Sequence, residues 1–319
     1  MHALLDAIAA MPWPAEAGRV FHGRGGLYPG CEPWTLDAYP PVFVLTSFAP
    51  ATDAQLATID RALQARWTQI TPAGAAPLTW VFQQRGEALR LQARTDTRLM
   101  AGQVPDMHTV TEAGASYRVH VLRGQNHGLF LDMAGGRRWV REWAASFAAR
   151  EGRGAQVLNL FAYTCAFSVA ACQGGAAQVI NVDMARGALA IGRQNHQLNG
   201  LMRGVSFLPH DVFNSWAKLS RAGPYDLVIA DPPSYQKGSF IARKDYARVL
   251  RRLPGLLSSG GHALLCLNAP ELPMDFLREQ VREHAPGLRF VQRVPNAPSF
   301  ADVDADRAVK AGVWRKTEE

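Results

Sequence analysis

From residue 157 onward, short β-branched and aliphatic runs alternate with helical stretches, and no other feature constrains the fold as strongly. "VLNLF" (157–161) precedes the small-residue stretch "SVAACQGG", "VINVD" (179–183) precedes "ARGALAIGRQNHQLNG", and "VSFLPHD" (205–211) precedes "VFNSWAKLSRAG". "YDLVIAD" (225–231) then precedes "KDYARVLRRLPGLL", and "GGHALLCLNA" (260–269) follows. Strands that are apolar on both faces and separated by helices specify a parallel sheet covered on both sides. The pattern predicts a doubly wound, Rossmann-like α/β domain over residues 141–319.

The preceding half has a different texture. "YPPVFVLTSF" (39–48) reads as a strand, "TDAQLATIDRALQARW" (52–67) as an amphipathic helix, and "LTWVFQQRGEALRLQAR" (78–94) as two strands around Arg85-Gly86. These define a small α+β domain over 21–105, after an N-terminal helix in 1–20. Within a linker over 106–140, "ASYRVHVL" (115–122) and "HGLFLDM" (127–133) are expected to pair as a β-hairpin across "RGQN".

At 319 residues and 48% hydrophobic composition the chain can bury a large core. No window approaches the roughly 18 uninterrupted apolar residues of a membrane span, and the N-terminus has no basic flank, so a cytoplasmic protein is expected. Cys31, Cys165, Cys172 and Cys266 are scattered, which predicts neither a disulfide framework nor a metal site. A net charge of +7 favours a polyanionic partner.

In an open parallel sheet, ligands bind outside the carboxyl ends of the strands, where the strand order reverses. Asp183 ends the second strand and suits a pair of ribose hydroxyls. The first loop carries Tyr163, Thr164, Cys165 and Ala166 and no glycine, so it suits a nucleoside without a pyrophosphate, such as S-adenosylmethionine. Asp211, ending the third strand, can accept from the exocyclic amine of adenine. After the fourth strand, Asp231 and the Pro232 carbonyl form a rigid pair of acceptors for the N–H donors of a base, and Tyr235 can stack on its ring. An Asp-Pro-Pro also simply ends a strand, but here it follows the nucleoside positions.

The segments "VLNLFAYTCAFSVAA", "VINVD", "GRQNHQLNG", "FLPHDVF" and "DLVIADPPSY" resemble, in order and spacing, the class I S-adenosylmethionine-dependent methyltransferases of 23S ribosomal RNA. "GLYPGCEPWTLDAYPPVFVL", "GQNHGLFLDMAGGRRWV" and "PNAPSFADVDADRAVKAGVWR" extend the resemblance over about residues 19–315. It implies a mostly parallel seven-stranded sheet. It also implies that Asn159, Phe161, Tyr163, Thr164, Ser168, Asp183, Met184, Asn195, Asp211, Val212 and Asp231 hold the cofactor. Asp231, Pro232, Pro233, Ser234 and Tyr235 would form the target pocket, with Phe130 and Asp132 of the hairpin beside it. Asn199 matches a second helix asparagine of the family.

Three departures accompany the resemblance. No counterpart of the family's N-terminal PUA domain is expected, Cys165 replaces a loop glycine, and the position of the family's nucleophilic cysteine falls on Asn268, with Cys266 inside the strand. Carbon-5 of cytosine needs an attacking thiolate, so methylation of a guanine or adenine nitrogen in ribosomal RNA is the favoured expectation. Cytosine-C5 methylation through Cys266, another RNA, or a small-molecule acceptor are the alternatives. Arg243, Lys244, Arg248, Arg251 and Arg252 follow the target turn, and Arg137, Arg138 and Arg141 form a second cluster. Arg137, Arg138, Arg243 and Lys244 are expected to contact phosphates of 23S ribosomal RNA or a ribosome assembly intermediate. No membrane partner is expected, and a homodimer is an allowed assembly.

Overall fold

A computed structural model describes residues 1–86, 96–233, 235, 236 and 240–317. The chain forms two compact units, residues 1–131 with 297–305 and residues 132–296 with 306–319.

The first unit opens with α1 (His2–Ala10), which ends ahead of Pro12 and Pro14 and so occupies half of the expected helical stretch. A five-stranded sheet follows in the order β1 (Gly18–His22), β2 (Trp34–Tyr39), β3 (Val42–Ser47), β4 (Thr79–Gln84) and β5 (Asp96–Ala101). Only β3 and β4 run parallel, because α2 (Asp53–Ile70) crosses over between them. Thr52 starts α2 with a capping box: its hydroxyl accepts from the Gln55 amide, and the Gln55 side chain accepts from the Thr52 amide. Leu56, Ile59, Leu63 and Trp67 form the buried stripe of α2 and belong to one core with Leu36, Phe43, Leu45 and Trp80. The second strand expected within 78–94, after Arg85-Gly86, lies outside the described residues.

The expected hairpin is replaced by a shorter one. β6 (Thr109–Glu112) pairs with β7 (Ala115–Arg118), joined by Ala113 and Gly114 at φ 50° and 77°. Positive φ at both central residues is the two-residue turn whose twist matches antiparallel strands. β7 therefore pairs backward, and residues 127–133 form no strand. One bond from the His120 amide to the His127 carbonyl, at 3.0 Å, remains from the expected pairing, and Leu131–Met133 forms a 3-10 turn.

In the second unit α3 (Ala134–Glu151) precedes β8 (Gln156–Leu160), α4 (Ala166–Gln173), β9 (Gln178–Val182), α5 (Arg186–Leu198), β10 (Val205–Leu208), α6 (Trp216–Ala222) and β11 (Tyr225–Ala230). Next come the two-residue strands β12 (Tyr235–Gln236) and β13 (Phe240–Ile241), α7 (Ala242–Leu250), the single turn α8 (Leu253–Leu256) and β14 (Leu257–Leu267). The chain ends with α9 (Met274–His284), β15 (Leu288–Val294) and β16 (Lys310–Lys316). The seven-stranded sheet has the order β10-β9-β8-β11-β14-β16-β15, with β16 alone antiparallel to its neighbours. The order reverses between β8 and β11, which opens a crevice at their carboxyl ends.

The unit boundary lies at 131/132 rather than at 140/141, because α3 buries Val140 and Phe147 in one core with Val157, Leu227 and Leu264 of the large sheet. Residues 297–305 rejoin the first unit, where Val303 donates to the Gly25 carbonyl at 2.8 Å. No helix among the described residues is long and apolar enough to cross a membrane.

Candidate active site

The loop after β8 is built on alternating left-handed backbone: Phe161, Tyr163 and Cys165 have φ of 58°, 47° and 61°. Side chains rarely occupy this region, so the surroundings must impose it. Four contacts do so. The Ala162 amide donates to the Val182 carbonyl at 3.1 Å, the Cys165 amide to the Ala162 carbonyl at 2.7 Å, and the Asn195 side chain to the Thr164 carbonyl at 2.9 Å. The fourth is Asp183, whose Oδ2 accepts the Tyr163 amide at 2.8 Å.

Asp183 also accepts the Ala185 amide on Oδ1 at 2.7 Å, so both oxygens are aimed by backbone amides while each keeps a second lone pair. Asp211 caps the 3-10 turn Val212–Asn214, accepting the Phe213 amide at 3.0 Å and the Asn214 side chain at 2.7 Å. Both carboxylates are partly exposed at the carboxyl ends of adjacent strands. The loop cannot act as a phosphate cradle, since its residues carry side chains and the Tyr163 amide is taken by Asp183. The two carboxylate acceptors therefore fit a nucleoside recognised through its hydroxyls and an amine.

Not every expected cofactor residue faces the crevice. Asn159 and Ser168 are buried, at 1% and 0% exposure, because Asn159 lies in register beside Asn181 across β8 and β9. The Asn159 side chain donates to Asn181 Oδ1 at 2.9 Å, and Asn181 Nδ2 donates to Ser168 Oγ at 3.0 Å. His196 Nδ1 faces the Leu201 carbonyl at 2.9 Å, so that nitrogen carries the proton and Nε2 accepts the Ser168 hydroxyl at 2.9 Å. Burial lowers the pKa of His196, which keeps this ring neutral. These side chains tie β8, β9, α4 and α5 together beneath the site. Asn195 acts likewise through Thr164, and Asn199 Nδ2 satisfies the Asn195 carbonyl at the end of α5. Val212 is buried in the core, whereas Met184 stands exposed at the rim.

Asp231 follows β11, its amide 3.5 Å from the Leu160 carbonyl. Protein atoms crowd its partly exposed carboxyl, and burial, followed by the Asp132 charge, raises its pKa to about 7 against the opposing Arg137 guanidinium. Pro232 is buried and Pro233 half-buried. Ser234 and the Tyr235 side chain lie outside the described residues. Asp132 lies in the 3-10 turn ahead of α3 rather than on a hairpin, and Phe130 is exposed.

Arg137 departs from its expected role as a phosphate contact. It is 4% exposed, on the inward face of α3 near Asp231, and cannot reach across a surface to RNA. Arg138, Arg243 and Lys244 are exposed. Cys266 is fully buried within β14, and burial pushes its thiol well above the ordinary range, as do the charges of Asp231 and Asp132. Its carbonyl accepts the Tyr246 hydroxyl, while Asn268, just beyond the strand, is exposed.

Sequence reading missed an aromatic group. Phe161 meets Phe240 at 5.3 Å and Phe213 at 6.4 Å between ring centroids, and Arg248 lies 3.7 Å over Phe213. Phe213 sits two residues past Asp211, a signal that was available. Phe240 is brought in only by the chain's return through β13.

A family model described as S-adenosylmethionine-dependent methyltransferase matches residues 18–315. Ribosomal RNA large subunit methyltransferase I of Serratia proteamaculans (strain 568) is 30% identical over 309 residues, covering 93% of this chain and 72% of that protein. Ribosomal RNA large subunit methyltransferase K/L of Psychrobacter sp. (strain PRwf-1) is 33% identical over 202 residues, 61% of this chain and 23% of that protein. The chain spans about half the length of other type I relatives it matches, at 48%. A candidate S-adenosylmethionine-dependent methyltransferase structure from Streptococcus mutans shares the fold, with a TM-score of 0.78 at 23% identity over 98% of this chain and 81% of that one.

Proposed function

The chain belongs to the S-adenosylmethionine-dependent methyltransferase family, whose members include the ribosomal RNA large subunit methyltransferases, and from that premise we propose that it methylates a base nitrogen, guanine or adenine, in ribosomal RNA. The observation that carries this reading is the contrast at the ends of β11 and β14. Asp231 is partly exposed at the end of its strand, whereas Cys266 is sealed inside its strand with its thiol protonated. A carbon-5 mechanism needs a thiolate; a nitrogen acceptor needs only to be aimed and desolvated.

S-adenosylmethionine supplies a methyl group already activated by the sulfonium, so the protein contributes position and electrostatics. Asp183 would accept the ribose hydroxyls on its remaining lone pairs, and Asp211 the adenine amine. Asp231 and the Pro232 carbonyl would accept N–H donors of the target base and leave a nitrogen lone pair directed at the methyl group. The exposed Arg138, Arg243 and Lys244 would meet RNA phosphates at the rim. With such a substrate the enzyme would act in the cytoplasm, on 23S ribosomal RNA or an assembling large subunit.

The test is mass spectrometry of digested ribosomal RNA from a strain lacking the gene and from its parent. Loss of one N-methylated purine is expected. Loss of a 5-methylcytosine would overturn the nitrogen assignment, and an unchanged profile would point to a small-molecule acceptor.

A further inference from the structure

An aromatic stripe on α3 is unused by the methyl-transfer site. Trp139, Trp143 and Phe147 recur at every fourth residue and share one face. Trp143 stacks on Trp139 at 6.2 Å and on Phe147 at 5.2 Å between centroids, and the His262 ring meets it at 5.6 Å and 61°. The stripe runs into a cavity of about 780 Å³ at the amino-terminal end of the large sheet, walled opposite by Ser258–His262 of β14. That volume falls within the range of small-ligand sites.

The rim is cationic. Arg150 and Arg153 stand 5.6 and 4.9 Å from the Phe147 ring centroid. Asp226 holds Arg153 by two bonds of 2.8 and 2.9 Å, so Arg153 is a fixed wall. Arg150 instead pairs with Glu151 where both are exposed, an ion pair worth about 1 kcal/mol at most and readily exchanged for another anion. On β16, Arg315 lies in register between His262 of β14 and Arg289 of β15. Arginines directly opposite one another repel, and an anion between them removes that cost. Arg315 Nε donates to the Gly260 carbonyl at 3.2 Å, which holds the guanidinium at the cavity. His262 is neutral until about pH 4, because of burial and then the charges of Arg315 and Arg150, and so adds a hydrogen-bonding ring rather than another cation.

From this aromatic floor, arginine rim and cavity volume, we propose that the cavity binds a nucleoside phosphate, with its base along the Trp143–Phe147 row and its phosphate beside Arg150 and Arg315, Arg289 standing opposite Arg315 in register. Stacking accepts any base, and arginine supplies the phosphate contact, as in single-strand nucleic-acid grooves. The site lies at the opposite end of the sheet from Asp183 and Asp231, so it is independent of methyl transfer and survives failure of that reading. The ligand is either one nucleotide of an RNA chain or a free nucleotide.

The test titrates the full chain with AMP and with a single-stranded hexa-adenylate, following tryptophan fluorescence. The exposed substitutions Arg289→Glu and Arg315→Glu preserve the core, and S-adenosylmethionine binding reports the intact fold. Saturable binding of at least one probe is expected, weakened about tenfold or more by each substitution, with cofactor affinity unchanged. Tenfold tighter binding of the hexa-adenylate than of AMP assigns the site to RNA, and equal affinity assigns it to the free nucleotide. Absence of saturable binding, or binding equal in the wild type and both variants, overturns the proposal.

Discussion

The Asp183 carboxylate accepts the Tyr163 backbone amide at 2.8 Å, so the residue expected to hold the ribose also holds the loop that would surround the methionine end of the cofactor. Asp183→Asn replaces one oxygen with a donor that faces either the Tyr163 or the Ala185 amide. Cofactor affinity is expected to fall about 10- to 100-fold, the worth of a charge-assisted hydrogen bond of roughly 1.5–3 kcal/mol. Calorimetric titration with S-adenosylmethionine checks this; an unchanged Kd would remove Asp183 from the site.

Ser168 separates stability from binding. Its hydroxyl joins His196 to Asn181 in a fully buried chain. Ser168→Ala leaves the His196 Nε2 acceptor unsatisfied, at a cost of about 1–3 kcal/mol. Urea unfolding should therefore show a lower midpoint, while the Kd for S-adenosylmethionine changes little. A large loss of affinity with unchanged stability would return Ser168 to the cofactor.

Cys165 and Gly192 form a matched pair, since the Cys165 sulfur occupies the space that a Cβ on Gly192 would need. Gly192→Ala is expected to destabilise by about 1–3 kcal/mol through overpacking. Cys165→Gly relieves the left-handed φ of 61° and opens that space, so the double variant should recover most of the loss. A double-mutant cycle measured by denaturation would show strict additivity if the two sites were independent.

The parts of the site legible in the sequence are those where one short segment encodes both a strand and its end. "VINVD" and "YDLVIAD" each finish an apolar run on a carboxylate, which placed Asp183 and Asp231 at the carboxyl edge of the sheet. Side-chain direction was not legible. Asn159 lies two residues before Phe161 but points at Asn181, because strand pairing sets which way it faces. Arg137 and Arg138 look equivalent in a basic run, yet the turn of α3 buries the first and exposes the second. "RGQN" resembled a hairpin turn, but Ala113-Gly114 closes the ladder on the other side of β7. The phenylalanine group was hidden because Phe161, Phe213 and Phe240 come from three separate crossovers.

Asp231 should make activity depend on pH in one direction and stability in the other. Its pKa is raised to about 7, chiefly by burial. The native state therefore binds the proton more tightly than the unfolded chain. The stabilisation is fully present below the ordinary carboxylate value of 3.8 and is lost as the pH rises through about 7. The acceptor role needs the carboxylate, so kcat/KM should rise with pH through about 7. Asp231→Asn should abolish transfer, keep S-adenosylmethionine binding and flatten the stability profile between the ordinary carboxylate value of 3.8 and about 7. Equal loss of binding and turnover would mean that Asp231 serves the cofactor rather than the base.

Cys266→Ser tests the nitrogen assignment at the level of the protein. The thiol is sealed in β14 and protonated, and the bond from the Tyr246 hydroxyl goes to the Cys266 backbone carbonyl, which the substitution leaves in place. Turnover on ribosomal RNA should stay within about twofold of wild type, with a stability loss of about 1 kcal/mol from placing a hydroxyl in an apolar position. A nucleophilic thiolate would behave differently: turnover would vanish while the fold stayed intact, and a covalent protein–RNA adduct would form on 5-fluorocytosine-containing substrate. Detecting that adduct in the wild-type protein, and its absence in Cys266→Ser, would overturn the nitrogen reading.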